Sequence, residues 1–267
     1  MTAAVRAELR KIFTTRLWWG MAIAVLLSGA AFAVLFAFVL TSDAVQGPQG
    51  AAVPSTDVAL AKAVFTGGLQ VGYLLTLAIG VLTIGSEYRH QTITGTFLAI
   101  PRRGRVMAAK VVALLAIGAF YGVLSLAGAV GAGTLVLTSK GHQPFADPSI
   151  WRTLALSLLV LGMWALIGLG AGILIPNQVA ALLISVAVAW IVEPVLGLVL
   201  AVTDWGKSIS PYLPSRATSA MLDTTGGGFD GQPIDQLTWW AGALVLMAYA
   251  AVMAGLGTWR TLRADIS

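Results

Sequence analysis

The chain has 267 residues, of which 58% are hydrophobic and only 10% are charged, and its mean hydropathy is +0.87. Soluble domains carry about 25% charged residues because their surface faces water, so this composition excludes an ordinary soluble protein. The net charge of +5 is concentrated beside apolar runs, which is typical of membrane topology rather than nucleic-acid binding. The lack of cysteine and the presence of just two histidines, His90 and His142, exclude disulfides, thiolate metal sites and histidine-rich metal cages.

An amphipathic segment and a series of long apolar runs follow in chain order. Residues 4–17 predict an interfacial helix that lies along the membrane surface. A spanning helix needs about 20 apolar residues. Six runs reach that length: 18–40, 64–86, 106–137, 151–175, 179–203 and 238–259. The third run is too long for one perpendicular span, so either its first turns lie outside the bilayer or it bends at its glycines between 128 and 133. The predicted fold class is an all-α membrane protein with six transmembrane helices in a single domain, 1–267.

The cationic residues predict the orientation of these spans. One set of segments holds eleven of the 16 Lys and Arg residues: Arg6, Arg10, Lys11, Arg16, Arg89, Arg102, Arg103, Arg105, Lys110, Arg260 and Arg263. The other set holds Lys62, Lys140, Arg152, Lys207 and Arg216. The positive-inside rule therefore predicts that both termini are cytoplasmic. The longest outer segment, 204–237, is predicted to be re-entrant-like and to fold partly back into the bundle as a lid.

The N-terminal segment supplies an interfacial anchor. Arg10, Lys11 and Arg16 are expected among anionic headgroups, and Trp18 and Trp19 mark the point where the first span enters the membrane. Two interpretations stay open. The segment is a plain positive-inside anchor, or it is a lateral elbow that lets the bundle rock.

The loop between the second and third spans is longer and less polar than an ordinary connector. Its apolar residues predict a short helix over about 88–100, which Pro101 ends. Basic residues follow at Arg102, Arg103 and Arg105. One interpretation is a rigid knob that seats apolar side chains in the groove of another protein. The alternative is an amphipathic helix that lies on lipid headgroups.

This loop resembles the cytoplasmic loop of type-2 ABC exporter permeases. The resemblance is carried by these residues: Glu87, Tyr88, Arg89, Thr92, Thr96, Pro101, Arg103 and Lys110. Residues 8–11 and 15–19 are similar to the start of many actinobacterial members, and residues 211–222 look like the short external segment of the family. Six spans with both ends inside match the family layout along essentially the whole chain.

The resemblance implies a permease of the bacterial plasma (inner) membrane. It would pair with a second copy or a homologous permease, and each permease would rest on a separate ATP-binding cassette ATPase subunit that binds Mg-ATP. This chain would bind no cofactor itself, and its partners would include membrane lipids but no nucleic acid. In the family, the helix after the second span is a coupling helix. By position, that implies ATPase-coupling roles for Glu87, Tyr88, Arg89, Thr92, Ile93, Phe97 and Arg103. Glu87 is expected to pair with a nearby arginine and brace the helix.

One carboxylate is predicted inside the membrane. With Lys110 and Arg152 counted among the loop residues, Glu193 is the only ionisable residue inside a predicted span, and Pro194 follows it. A charge at the bilayer centre costs about 2.5–3.5 kcal/mol on insertion scales, so it needs a partner or a polar environment. Glu193 and Pro194 are therefore either a polar point on the substrate path or gate, or a pair nearer the outer interface, where a loop cation such as Lys207 or Arg216 neutralises the carboxylate.

No catalytic arrangement is evident in the sequence. Residues 201–208 satisfy a relaxed phosphate-loop pattern, but they end an apolar helix where the motif needs a preceding strand. The leading hypothesis is a non-enzymatic permease subunit that exports an amphipathic or lipid-like substrate by alternating access, with a partner ATPase as the energy source. The alternative is a stand-alone, ion-coupled transporter that uses Glu193 as its relay. A membrane enzyme or an assembly scaffold is a third class.

Overall fold

A computed structural model describes residues 2–42, 54, 56–99, 102–224 and 237–263. Helices account for nearly all of these residues. They are α1 (Thr2–Phe13), α2 (Leu17–Leu40), α3 (Asp57–Thr66), α4 (Leu69–Arg89), α5 (Thr92–Ala99), α6 (Arg103–Ser139), α7 (Ser149–Leu174), α8 (Gln178–Ala187), α9 (Glu193–Ala201), α10 (Asp204–Ile209), α11 (Pro214–Met221) and α12 (Trp239–Arg263). A π-helical segment, Val188–Val192, joins α8 to α9, and a 3₁₀ turn, Ser210–Tyr212, joins α10 to α11.

Six helical stretches of the described chain are long and apolar enough to cross a membrane. They are Trp18–Leu40, Asp57–Arg89, Gly104–Ser139, Ser149–Leu174, Gln178–Ala201 and Trp239–Thr261. The predicted all-α architecture with six apolar spans is therefore confirmed at the level of length and composition. The second stretch begins seven residues earlier than predicted, because α3 and α4 join at Gly67 and Gly68. The third stretch belongs to α6, which runs unbroken through the glycine-rich segment for 37 residues.

Two helix ends differ from the predicted boundaries. The helix predicted to be interfacial, α1, ends at Phe13, because the hydroxyls of Thr14 and Thr15 donate to the carbonyls of Lys11 and Ile12 in its last turn. The helix α4 continues through Arg89 and ends where Gln91 adopts a left-handed backbone conformation with φ 55°. The short helix of the loop, α5, therefore begins at Thr92 and is shorter than the predicted 88–100. Residues 100 and 101 lie outside the described residues.

The centre of the bundle is α7, which packs against α4, α6 and α12. Glycines allow close backbone contact there: a Cβ added to Gly168 would stand 2.0 Å from the carbonyl oxygen of Leu77, and one added to Gly118 would stand 2.4 Å from the Cα of Gly162. Such small residues let apolar helices associate through van der Waals contact in lipid, where the hydrophobic effect does not drive them together. These distances assign a packing role to the glycines of α6 and α7.

The helices bring distant segments together at two ends of the bundle. The near end comprises residues 2–17, 87–99, 102–110, 173–178 and 258–263, and it includes the described part of the α4–α6 loop and both ends of the described chain. The far end comprises residues 54, 56–62, 138–152, 202–224 and 237–240. At the far end, α11 packs on α12 and α7, and Met221 and Leu222 are buried. Residues 225–236 of the predicted re-entrant-like segment lie outside the described residues.

Candidate functional site: an ionic ring and a cavity at the near end

Four charged side chains from three helices form a closed ring at the near end. We call it the ionic ring: Glu8 and Lys11 of α1, Glu87 of α4 and Lys110 of α6. The Nζ of Lys11 lies 2.8 Å from Oε1 of Glu8 and 2.8 Å from Oε1 of Glu87. The Nζ of Lys110 lies 2.7 Å from the same Glu87 oxygen and 2.6 Å from Oε2 of Glu8. The ring thus ties α1 to both ends of the α4–α6 loop.

The ring is largely hidden from solvent. The side chain of Lys110 is 0% exposed, and those of Glu8 and Glu87 are 5% and 7% exposed. Two carboxylates facing two ammonium groups cancel in formal charge. Mutual pairing is what makes the burial of such charges tolerable, since an unpaired buried ion is strongly destabilising. We infer that the ring fixes which face of α1 meets α6.

Lys11 is the member of the ring that reaches solvent, with its side chain 43% exposed. Its partial burial alone lowers its pKa. The hydrogen bonds and charges of Glu8 and Glu87 outweigh that effect, and together they raise the pKa of Lys11 above its ordinary value of 10.5. Lys11 is therefore cationic at neutral pH. Two of its three N–H groups are used by the ring.

The short helix α5 protrudes beside the ring. Thr92 and Leu98 are exposed, with Leu98 at 79%, and α5 makes few contacts with the rest of its own chain. Arg89, in the last turn of α4, is also exposed. The structure does not describe the side chains of Ile93, Phe97 and Arg103, although their backbones lie in α5 and at the start of α6.

Two predicted coupling residues are engaged within the chain. Glu87 pairs with lysines, whereas the sequence led us to expect an arginine. The hydroxyl of Tyr88 lies 3.2 Å from that of Thr261 at the end of α12. Also at the near end, the guanidinium of Arg260 donates to the carbonyl of Ile173, 3.3 Å away, at the end of α7. The elements around α5 are therefore joined to one another through side-chain contacts.

The predicted anchor residues lie along α1 and the start of α2. Arg10 and Arg16 are exposed, as is Trp19 at 51%. Trp18 packs edge-on against Phe13, with ring centroids 5.5 Å apart, and its carbonyl accepts a hydrogen bond from the hydroxyl of Tyr121. Lys11 differs from the other anchor residues, because it turns into the ionic ring.

A cavity of about 510 Å³ opens next to the ionic ring, between α1 and the helices α2, α4, α6 and α8. Most of its wall is apolar. Its polar lining includes Lys11, Glu87, Thr83, His90 and Gln178. Its size lies within the range of about 300–1,000 Å³ that is typical of small-molecule sites. Oε2 of Glu87 is buried and has no hydrogen-bond partner among the described residues.

Glu193 lies in the fifth candidate span, Gln178–Ala201, and holds the segment that follows this span. It is buried, and it accepts a hydrogen bond from the backbone N–H of Ser215 in the first turn of α11. A carboxylate at that position is favoured by the helix dipole. Pro194 is the second residue of α9, which follows the π-helical segment, and since proline has no N–H, the preceding turn has to adjust its hydrogen bonds. Among the described residues, no ion pair of Glu193 with Lys207 or Arg216 is found.

The described part of the chain contains no group of three or more His, Asp or Glu side chains placed to hold a metal ion. Residues 201–208 run from the last residue of α9 into α10, so the relaxed phosphate-loop pattern lies between two helices without the strand that the motif requires.

Sequence reasoning missed the roles of Glu8 and Lys110. Lys110 was counted as a loop cation, but the structure places it two turns inside α6 and fully buried. The sequence does indicate that Lys110 has a partner, since a lysine flanked by apolar residues at the edge of a span requires one. It does not identify that partner as Glu8, because Glu8 lies 102 residues away in the sequence.

Comparison of the chain with models of known protein families and with curated protein sequences gives no match. Over the residues that it describes, the structure shows an all-helical protein with six candidate membrane spans. The resemblance of the α4–α6 loop to exporter permeases remains an argument from its residues and from the layout of the spans.

Proposed function

We propose that this chain is the permease subunit of an ATP-driven exporter and that α5 is the helix through which a separate ATPase moves it. The observation that carries the proposal is the position of α5 between two spans that the ionic ring bridges. Glu87 lies five residues before α5 and Lys110 lies eleven residues after it, and their side chains are 2.7 Å apart. A helix braced at both ends transmits a push to the spans as a unit.

Two further features support this proposal. Leu98 offers an exposed apolar side chain on α5, as a helix that docks on another protein requires. Glu8 extends the brace to α1, so displacement of α5 would also move the interfacial helix. On this account, ATP-driven closure of the partner pushes α5, the ring carries the motion into α1, α4 and α6, and a pathway for an amphipathic substrate opens to the outside.

The same proposal implies that the chain associates with a partner that hydrolyses Mg-ATP and with a second permease copy. It also implies that both termini lie in the cytoplasm. The alternative of an ion-coupled transporter driven through Glu193 has less support. The carboxylate of Glu193 already accepts a hydrogen bond at the N-terminus of α11. A proton or cation relay needs a chain of titratable groups rather than one capping residue.

Co-purification with candidate ATPases tests the proposal. Leu98→Asp places a charge on the exposed face of α5, and we expect it to abolish retention of an ATPase that the unmodified chain retains in detergent. Val202→Asp is the matched control, because Val202 is equally exposed, at 82%, but lies at the far end. Retention of the ATPase by the Leu98→Asp chain, or equal loss in both variants, would contradict the assignment of α5.

A further inference from the structure

We propose that the near-end cavity binds a phospholipid whose headgroup combines a phosphate with a primary ammonium group. The apolar wall would receive an acyl chain, and the headgroup would lie at the ionic ring. This inference concerns the chain alone and holds with or without a partner ATPase.

Oε2 of Glu87 lacks a hydrogen-bond donor among the described residues, and a ligand could supply one. Its Oε1 accepts from both Lys11 and Lys110, whereas Oε2 is buried without a partner in the described part of the chain. A buried carboxylate oxygen without a donor costs roughly 1–3 kcal/mol or more. A ligand that brings an N–H group to this oxygen would remove that cost, and we place that group in the cavity because Glu87 is among the residues that line it.

The phosphate has a complementary group next to Glu87. Lys11 also lines the cavity, is the solvent-reaching member of the ring, and has one N–H group beyond the two that the ring uses. His90 and Gln178 supply further polar groups around the opening. A phosphate near Lys11 and an ammonium near Glu87 would each meet a group of opposite charge.

The net charge of the site favours a zwitterion. The two lysines and two glutamates of the ring balance in formal charge, so a zwitterionic ligand keeps the site neutral, whereas a ligand with only a negative or only a positive charge would give it a net charge. A quaternary ammonium headgroup is zwitterionic but has no N–H to donate to Glu87. The site should therefore distinguish a primary amine from its trimethylated form.

Native mass spectrometry of the purified chain tests this with phosphatidylethanolamine, phosphatidylcholine and phosphatidylglycerol of identical acyl chains. We expect phosphatidylethanolamine to bind roughly tenfold or more tightly than phosphatidylcholine, the difference typical of one charge-assisted hydrogen bond. Glu87→Gln should remove that preference. Equal binding of the two lipids, or tighter binding of phosphatidylglycerol, would overturn the proposal.

Cavity-filling variants separate the cavity from the lipid-facing surface. Thr83 lines the cavity and bonds only to a carbonyl of its own helix in the described structure, as does the exposed Thr138 at the far end. We expect Thr83→Trp to lose phosphatidylethanolamine and Thr138→Trp to retain it. Unchanged binding in Thr83→Trp, or equal loss in both, would show surface lipid only. Competition by glycerophosphoethanolamine, which has no acyl chains, would refute a lipid occupant.

Discussion

Removal of Lys110 is the sharpest test of the ionic ring. The variant Lys110→Met keeps the length of the side chain and deletes the ammonium group, which makes two ion pairs of 2.6 and 2.7 Å in a fully buried position. Breaking a buried ion pair from one side typically costs about 3–5 kcal/mol, because the partner charge stays behind uncompensated. Lys11 still bridges Glu8 and Glu87 in the variant. We therefore expect the lower end of that range, about 3 kcal/mol.

The free energy of unfolding, measured by denaturant titration in detergent micelles, is the appropriate readout. Lys140→Met is the matched control, since Lys140 lies directly after the same helix and is exposed. An exposed cation contributes less than about 1 kcal/mol, so this control should unfold almost as the parent does. Equal stability of Lys110→Met and Lys140→Met would refute the reasoning.

A double variant isolates the cause of the loss. Adding Glu87→Gln to Lys110→Met removes one of the carboxylates that the lost lysine leaves behind. We expect the double variant to be less destabilised than the sum of the two single variants, because the residues share one network. Strict additivity would mean that Glu87 and Lys110 do not stabilise each other.

Two predictions concern the packing of the bundle. Gly168→Val should lower the free energy of unfolding by about 1–3 kcal/mol or more through overpacking, because the added Cβ would lie 2.0 Å from a backbone oxygen. Gly131→Val is the control, since a Cβ there meets nothing within 4 Å. Equal melting temperatures of the two variants would contradict the close contact at Gly168. Thr218→Val should lower the free energy of unfolding by about 1–3 kcal/mol. It should also shift the fluorescence of Trp164, whose buried indole N–H donates to the Thr218 hydroxyl at 3.1 Å. Thr258→Val removes a hydroxyl bonded to its own helix at Ala254 and should leave that emission unchanged, and the same spectrum in both variants would argue against the Trp164 contact.

The spans were predictable because their signal is local. Length and hydropathy identify an apolar helix from its own residues, and the observed spans begin and end within a few residues of the predictions, apart from the earlier start at Asp57. Helix ends were harder to place where individual side chains decide them. The hydroxyls of Thr14 and Thr15 end α1, and the backbone conformation of Gln91 separates α4 from α5.

The ionic ring was only partly predictable. The sequence pointed to Glu87 as a residue that braces the loop, and to Lys11 as an anchor. The sequence did not predict that these two residues contact each other, because they lie 76 positions apart and their contact depends on how α1 packs against the bundle. The partner of Glu193 was missed for a similar reason: it is a backbone N–H, which no pattern of charged residues reveals.

The most direct test of the central claim is ATP hydrolysis by a candidate ATPase reconstituted with this chain in liposomes. We predict that the parent chain stimulates hydrolysis, that Val202→Asp does so equally, and that Leu98→Asp does not, because Leu98 lies on the exposed face of α5. A chain that stimulates none of the co-expressed ATPases and moves ions or solutes across the bilayer without ATP would contradict the account.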